Sequence, residues 1–136
     1  MACFSYFSGT YPVSLEIAGA RIVMNQDGSV QLQVGATEIG QGSDTIFSEM
    51  VAEVLGIDIE KVNVISIQDT DITPFDTGAY ASRQSFVTGA AVKKAAKEVK
   101  NKVLEIASRK CGLNIDELDI REGIIIEKKW VMKFVH

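Results

Sequence analysis

The sequence predicts an α+β fold, a two-layer α/β sandwich in which two helices cover one face of a mixed sheet in the order β-β-α-β-α-β-β. Three apolar residues alternate with two glutamines across Val30–Val34, which is typical of a strand with one buried face. Apolar residues recur at intervals of three or four in two longer segments, 46–55 and 92–107, which indicates amphipathic helices. The 136 residues are expected to form a single domain, 1–136.

The first two strands are predicted to form a hairpin. Residues 13–24 have an extended pattern, and the cluster NQDGS at 25–29 is rich in turn-forming residues. Gly28 stands where such a turn needs a positive φ. The turn therefore joins the first strand to Val30–Val34.

Two further segments have strand patterns. Residues 62–67, VNVISI, are mostly apolar and β-branched, which is typical of a buried strand. The sequence from residue 118 onward predicts a second short hairpin that turns at Glu122 and Gly123. A long loop is expected between the third strand and the second helix, because Pro74 and Gly78 exclude regular structure there.

Both predicted helices have recognisable ends. The first is expected to have Ser43 or Asp44 as its N-cap and Gly56 as its C-cap. The second covers about residues 82–110 and ends before Gly112, with basic residues in its last turn. Its apolar face is expected to comprise Val92, Ala96, Val99, Val103, Ile106 and Ala107.

Composition and charge exclude several classes of function. The net charge of −4 and the isoelectric point near 5.0 argue against nucleic acid as a partner. No apolar run reaches the roughly 18 residues of a membrane span, and the first residues lack a signal-peptide pattern. We therefore expect a cytoplasmic protein with no membrane partner. Cys3 and Cys111 are too far apart in sequence for a disulfide framework and are expected to be reduced, buried and inert.

The first glycine-containing loop, TEIGQGSD, precedes a helix. Gly40 and Gly42 flank Gln41, so the backbone can approach a bound group closely and adopt conformations closed to other residues. Free N–H groups at the helix N-terminus would favour an anionic or electron-rich ligand, and the Gln41 amide can donate and accept. The spacing matches neither standard phosphate motif, and a tight turn with a solvated glutamine remains the alternative.

The second loop, DTDITPFDTGAYASRQS, has a similar organisation. Small residues lead into a helix, and Ser82, Arg83, Gln84 and Ser85 offer polar contacts. Phe75 and Tyr80 are the aromatic residues best placed to touch a ligand. The aspartates Asp69, Asp71 and Asp76 lack the spacing of a calcium loop, and Asx turns or helix caps account for them. If the strands before the two loops are parallel, both loops lie at one edge of the sheet, where ligands bind in α/β proteins.

The usual catalytic sets are missing from the sequence. The single histidine is the last residue, His136, and no His/Cys cluster could hold zinc or iron. Glu49 and Glu53 are one helical turn apart, as on a solvated face, and Trp130 is expected to fill part of the core. We therefore predict no catalytic residue and no metal ligand in this chain, only the capacity to hold a ligand.

The two loops together resemble a known family. The segment GATEIGQGSDTIFSEMVAEVLGI, followed by DTDITPFDTGAYASRQSFVTGAAV, is similar to the molybdenum cofactor-binding subunit of the xanthine dehydrogenase and aldehyde oxidase family. The bacterial branch that hydroxylates purines, nicotinate or related heterocycles is the most similar. The resemblance implies molybdenum-molybdopterin, in some members a dinucleotide, as the cofactor. It implies that the cofactor is contacted by Gly40, Gln41, Gly42, Ala79, Tyr80, Ala81, Ser82, Arg83 and Gln84.

The resemblance also implies an activity and partners. Family members hydroxylate a heterocycle or an aldehyde with oxygen from water, and electrons leave through iron–sulfur centres to FAD or another acceptor. Such subunits are several times longer than this chain, which lacks their Gly-Gly-Phe-Gly loop and their catalytic glutamate. We therefore expect a fragment that is inactive alone and needs the remainder of the molybdenum-binding subunit, together with iron–sulfur and FAD subunits or domains.

Two alternatives stay open at this point. The chain could be a free-standing module that binds the cofactor for delivery, regulation or assembly, without catalysis. It could also be a phosphate-ligand domain whose loops match the family by coincidence. An isolated piece of a larger subunit is further expected to expose apolar surface and to self-associate.

Overall fold

A three-stranded mixed sheet forms the centre of the protein. The computed structural model describes residues 1–9 and 16–129. Strand β1 (Ala20–Met24) pairs antiparallel with β2 (Val30–Val34), and β2 pairs parallel with β3 (Val62–Ile65). The predicted hairpin is confirmed, with Gly28 at a φ of +81° in its turn. The parallel pairing of β2 and β3 meets the condition for bringing the two glycine-containing loops to one edge.

Two helices pack against the sheet and against each other. Helix α1 (Ser43–Leu55) connects β2 to β3, and helix α2 (Gly89–Cys111) follows the second loop. The predicted α+β fold class is confirmed, because strands and helices share one apolar layer. The buried core consists of Val30, Leu32, Val34, Ala36, Phe47, Val51, Ala52, Leu55, Val62, Val92 and Ala96.

The C-terminal hairpin forms a sheet of its own. Strands β4 (Leu118–Arg121) and β5 (Ile124–Glu127) pair antiparallel and pack on the second half of α2. The hairpin also docks on the end of α1, where Gly56 has a φ of +69° and its carbonyl accepts from the Gly123 N–H at 2.8 Å. A Cβ at position 56 would lie 2.1 Å from the carbonyl oxygen of Ile120. The expected single sheet is therefore divided, because the hairpin packs on the helices.

Several boundaries differ from the sequence expectation. Strand β1 begins at residue 20 rather than 13, and residues 10–15 lie outside the described residues. Strand β3 ends at Ile65, two residues early, and Ile67 is half exposed. Helix α2 begins at Gly89 rather than 82, because a single π-helical turn, Gln84–Thr88, precedes it.

A few side chains also differ from expectation. Ile106 was expected on the buried face of α2 but is 55% exposed, because neither the sheet nor the hairpin covers it. Both cysteines are free, as expected, but exposed rather than buried. The expectations for Trp130 and His136 fall outside the described residues. In the part of the chain that the structure describes, no helix is long and apolar enough to cross a membrane.

Candidate functional site

Two loops meet beyond the carboxyl ends of the parallel strands β2 and β3. We call residues 37–42 the first loop and residues 66–83 the second loop. The amide of Gln41 in the first loop donates to the amide oxygen of Gln84, which directly follows the second loop. Both amides also donate to the carbonyl of Thr37, at 2.9 and 3.0 Å. The predicted meeting of the loops at one sheet edge is therefore observed.

A pocket of about 360 Å³ lies between the two loops. Its lining contains residues from both loops and from the start of α1. Among the residues that the resemblance implicates, Gly40, Gly42 and Arg83 do not line it. The lining residues are Ile39, Gln41, Ser43, Ile46, Ala79, Tyr80, Ala81, Ser82, Gln84 and Ser85.

The two glycines of the first loop present open backbone. Gly40 has a φ of +96° and Gly42 a φ of +80°, conformations that residues with a Cβ rarely adopt. A Cβ built at either position would meet nothing within 4 Å. The positive φ values therefore favour glycine at both positions, and no atom of the described residues lies close beside them.

The N-terminus of α1 is capped in an unexpected way. Neither Ser43 nor Asp44 is the N-cap, because Gly42 occupies that position and offers no side chain. The carboxylate of Glu38 instead accepts hydrogen bonds from the N–H groups of Gly40, Gly42 and Asp44 at 2.7, 3.1 and 3.1 Å. Its other donor is the hydroxyl of Ser43, at 3.1 Å.

This cap changes the electrostatics of the site. Hydrogen bonds from the N–H groups of Asp44 and Gly42 lower the pKa of Glu38 to about 2, from an ordinary value of 4.5. The anion that the helix N-terminus was expected to attract is therefore a carboxylate of the chain itself. The sequence feature that corresponds to this cap is a glutamate four residues before Gly42, and it was not predicted to cap the helix.

Gln41 is exposed, but its amide is held by protein groups. The side-chain oxygen accepts from the Ile39 N–H at 2.6 Å, and the nitrogen contacts the Ser43 hydroxyl at 3.0 Å. The simple alternative, a solvated turn glutamine, does not describe these contacts. The amide faces a pocket and is oriented by the backbone around it.

Arg83 is the residue whose surroundings differ most from expectation. Its side chain is fully buried and donates to the carboxylates of Glu16 at 2.7 Å and Asp76 at 2.6 Å. Burial lowers the pKa of Arg83, but the hydrogen bonds to these two carboxylates outweigh it, so the pKa lies above its ordinary value. Glu16 was not predicted to pair with Arg83, because it lies 67 positions away and no sequence pattern links the two residues.

The aspartates and aromatic residues of the second loop have distinct places. Asp69 accepts from the Asp71 N–H at 2.9 Å, which confirms the predicted Asx turn. Asp76 makes such a turn with Gly78 at 2.9 Å but also pairs with Arg83. Tyr80 lines the pocket, whereas Phe75 is 67% exposed and does not.

Residues 1–9 and 16–129 contain no group of three or more His, Cys, Asp or Glu side chains that could hold a metal ion. Glu49 and Glu53 are exposed on α1, as a solvated face requires. The site can therefore offer hydrogen bonds and open backbone to a ligand.

Comparison with known proteins gives a consistent family assignment. The profile of the family described as "Molybdopterin cofactor-binding domain" matches residues 1–135. A putative xanthine dehydrogenase molybdenum-binding subunit of Escherichia coli K12 is 53% identical over 126 residues, 93% of this chain and 17% of the relative. A second relative is subunit gamma of the 6-hydroxypseudooxynicotine dehydrogenase complex of Paenarthrobacter nicotinovorans. It is 30% identical over a segment that covers 75% of this chain and 13% of the relative's own length.

Two solved structures superpose on most of this chain. The reconstituted CO dehydrogenase of Oligotropha carboxidovorans superposes with a TM-score of 0.75 at 28% identity, over 82% of this chain and 14% of the other. Quinoline 2-oxidoreductase of Pseudomonas putida 86 shares the fold, with a TM-score of 0.73 at 23% identity, over the same 82% of this chain and 14% of its own. The chain thus spans about a sixth of the length of the curated relatives named above, or less.

Proposed function

This chain belongs to the family of molybdopterin cofactor-binding domains, and from that premise we propose that it lines the molybdenum-molybdopterin site of a molybdenum hydroxylase large subunit. The observation that carries the proposal is the meeting of the two loops through Gln41 and Gln84 around one pocket. The proposed activity is hydroxylation of a heterocycle or an aldehyde, as in xanthine dehydrogenases. The chain alone is proposed to be inactive.

The proposal gives each part of the site a role in holding the cofactor. Gly40 and Gly42 let its edge approach the backbone, and Gln41 offers a directional amide. The residues Ala79, Tyr80, Ala81, Ser82 and Gln84 form the opposite side. When bound, the cofactor would supply the redox chemistry, since the protein of such enzymes contributes binding, orientation and electrostatics. No residue of this chain is proposed to be catalytic or to ligate the metal.

The proposed partners are the remainder of the large subunit and, beyond it, iron–sulfur and FAD subunits or domains in the cytoplasm. Apolar side chains beside the pocket are exposed, with Ile39 and Phe86 both at 68%. Exposed apolar surface next to a binding site is typical of an interface. The predicted exposure of apolar surface is therefore observed, and its covering by the rest of the subunit is part of the proposal.

The proposal can be tested in a hybrid subunit. We define this hybrid subunit as the E. coli relative with its matching 126-residue segment replaced by that of this chain, produced with the partners of the relative. Molybdenum is measured by mass spectrometry and pterin by fluorescence after oxidation. We expect the hybrid subunit to retain both, and Gln41→Ala to lower both by roughly tenfold, because an orienting hydrogen-bond partner is removed.

The control replaces a glutamine at the opposite end of the sheet. Gln26 is exposed in the β1–β2 turn, so Gln26→Ala should leave the molybdenum and pterin content unchanged. Equal retention in the Gln41→Ala variant would show that Gln41 is only a turn residue. An assembled hybrid subunit that contains no pterin would contradict the proposed function itself.

A further inference from the structure

A buried arginine lies directly behind the pocket. Arg83 stands between Ser82 and Gln84, which both line the pocket. Its own guanidinium is fully buried and donates to groups that do not line the pocket. We propose that Arg83 is a positioning residue that holds the second loop in the conformation that presents Ala79–Ser82 and Gln84 to the cofactor. This inference rests on the proposed function of the pocket.

The guanidinium joins two segments that are distant in sequence. Its Nε donates to Glu16 at 2.7 Å and its Nη2 to the carbonyl of Ile17 at 2.8 Å, both in the segment before β1. Its Nη1 donates to Asp76 at 2.6 Å and to the carbonyl of Gly78 at 2.9 Å, both in the second loop. A planar fork of five donors is suited to bridging acceptors in this way, and a lysine is not.

The backbone just before Arg83 is strained. Ala81 and Ser82 have φ values of +47° and +50°, and consecutive left-handed residues are unfavourable when both carry a Cβ. Such conformations persist only where the surroundings over-determine them, and they cluster at functional sites. Here the Arg83 N–H donates to the carbonyl of Tyr80 at 3.1 Å, and the Ala81 carbonyl accepts from Gly9 at 2.7 Å.

The same network fixes the residues that follow. Asp76, the partner of Arg83, accepts from the hydroxyl of Thr88 at 2.8 Å and so holds the end of the π-helical turn. Gln84 is the first residue of that turn, and its side-chain oxygen meets the Gln41 amide. The position of Arg83 therefore determines the backbone of Ser82 on one side and the side chain of Gln84 on the other.

Two measurements test this role. In the purified 136-residue chain, Arg83→Gln is expected to raise the hydrogen-exchange rates of residues 77–84 by roughly tenfold or more, with little change in β2 and α1. In the hybrid subunit, the same change is expected to lower pterin content by about tenfold, as for groups that orient a ligand-binding shell. Arg83→Lys keeps the positive charge but not the planar fork of donors. Its exchange rates and its pterin content should lie between those of the parent and those of Arg83→Gln.

A glycine rescue separates positioning from other roles. Ala81→Gly with Ser82→Gly removes the penalty of the left-handed turn, and a hybrid subunit with these two glycines alone serves as the reference because both residues line the pocket. Adding Arg83→Gln to that reference should lower pterin content by at most about half as much as it does in the parent hybrid subunit. Leu118→Ala is the stability control, because Leu118 is buried in the distant hairpin cluster. It should destabilise the chain while leaving the pterin content of the hybrid subunit within about twofold.

Each outcome decides between the interpretations. Unchanged exchange in the Arg83→Gln chain would overturn the inference, whatever the hybrid subunit binds. If Arg83→Gln causes an equal pterin loss with and without the two glycines, Arg83 contacts the ligand or acts only through stability, and the inference is overturned as well. If the hybrid subunit without substitutions contains no pterin, the proposed function is contradicted. The exchange measurement on the 136-residue chain still tests whether Arg83 holds the second loop.

Discussion

The two loops reach the same pocket but are held by different kinds of contact. In the first loop the carboxylate of Glu38 binds N–H groups only two to six positions away. In the second loop Arg83 binds Glu16 and Ile17, which lie 67 and 66 positions away. The cap in the first loop is therefore made by residues close together in sequence, whereas the contacts of Arg83 join the second loop to the segment before β1.

The second loop is therefore expected to be sensitive to the loss of a single carboxylate that pairs with Arg83. The Asp76 side chain is fully buried against Arg83, so Asp76→Ala leaves a buried charge without one of its partners. We expect a loss of about 3–5 kcal/mol in the free energy of unfolding, measured by urea denaturation of the 136-residue chain.

Asp69→Ala in the same loop is the matched control. Asp69 is exposed and its carboxylate makes only an Asx turn, so this change should cost less than about 1 kcal/mol. Equal losses in the two variants would contradict the role of the buried Asp76–Arg83 pair in holding the second loop.

A smaller effect is expected at Gly35, where the chain directly after β2 touches the second loop. A Cβ at Gly35 would lie 2.1 Å from the carbonyl oxygen of Pro74, so Gly35→Ala forces the second loop away from β2. We expect a loss of about 2–3 kcal/mol in the free energy of unfolding, together with faster hydrogen exchange around Pro74.

Gly42→Ala provides the comparison from the first loop. Its Cβ would meet nothing within 4 Å, so only the positive φ of +80° is unfavourable. That strain should cost about 1–2 kcal/mol and leave exchange in the second loop unchanged. If exchange in the second loop rose in this variant as well, the first loop would not be locally determined.

The last effect depends on pH and is expected for Glu38→Gln. The amide keeps one oxygen acceptor, but its NH2 group cannot accept the hydrogen bonds that the second carboxylate oxygen takes. The pKa of Glu38 is about 2 in the folded chain and near 4.5 when unfolded, so the ionised form stabilises the fold above pH 4.5. That contribution is lost as the pH falls from about 4.5 to about 2. The difference in urea midpoint between the parent chain and the variant should therefore shrink across this range.

Glu53→Gln is the control for this titration. Glu53 is exposed on α1, and its replacement should leave the urea midpoint nearly unchanged at each pH. A difference between parent and Glu38→Gln that stays constant from pH 7 to pH 2 would show that Glu38 does not cap the helix as an ion.

The sequence alone was sufficient for much of the fold. The alternation in Val30–Val34 and the apolar periodicity of both helices predicted these elements. The glycines at positions 28, 56 and 112 predicted the turn of the first hairpin and the C-terminal ends of both helices. These signals succeed because each depends on residues within a turn or a strand of one another. The strand of residues 62–67 was correct in type, and only its end was misplaced.

The sequence also located the candidate site at the level of segments. Two glycine-containing loops, each before a helix, predicted a shared edge, and the parallel pairing of β2 and β3 brings them together. The roles of individual residues within the loops could be predicted less well from the sequence. The expected N-cap at Ser43 or Asp44 was wrong because Glu38 folds back over the helix start, a local contact that residue type alone did not reveal.

What the sequence by itself determined is thus the class of fold, the family and the meeting of two glycine-containing loops at one edge of the sheet. Tertiary structure alone decided that the C-terminal hairpin leaves the main sheet, that Arg83 is buried, and that Glu16 and Asp76 hold it. The physical reason is distance along the chain. Helix periodicity and turn chemistry act within a few residues, whereas a buried ion pair between residues 16 and 83 exists only after the intervening chain has folded.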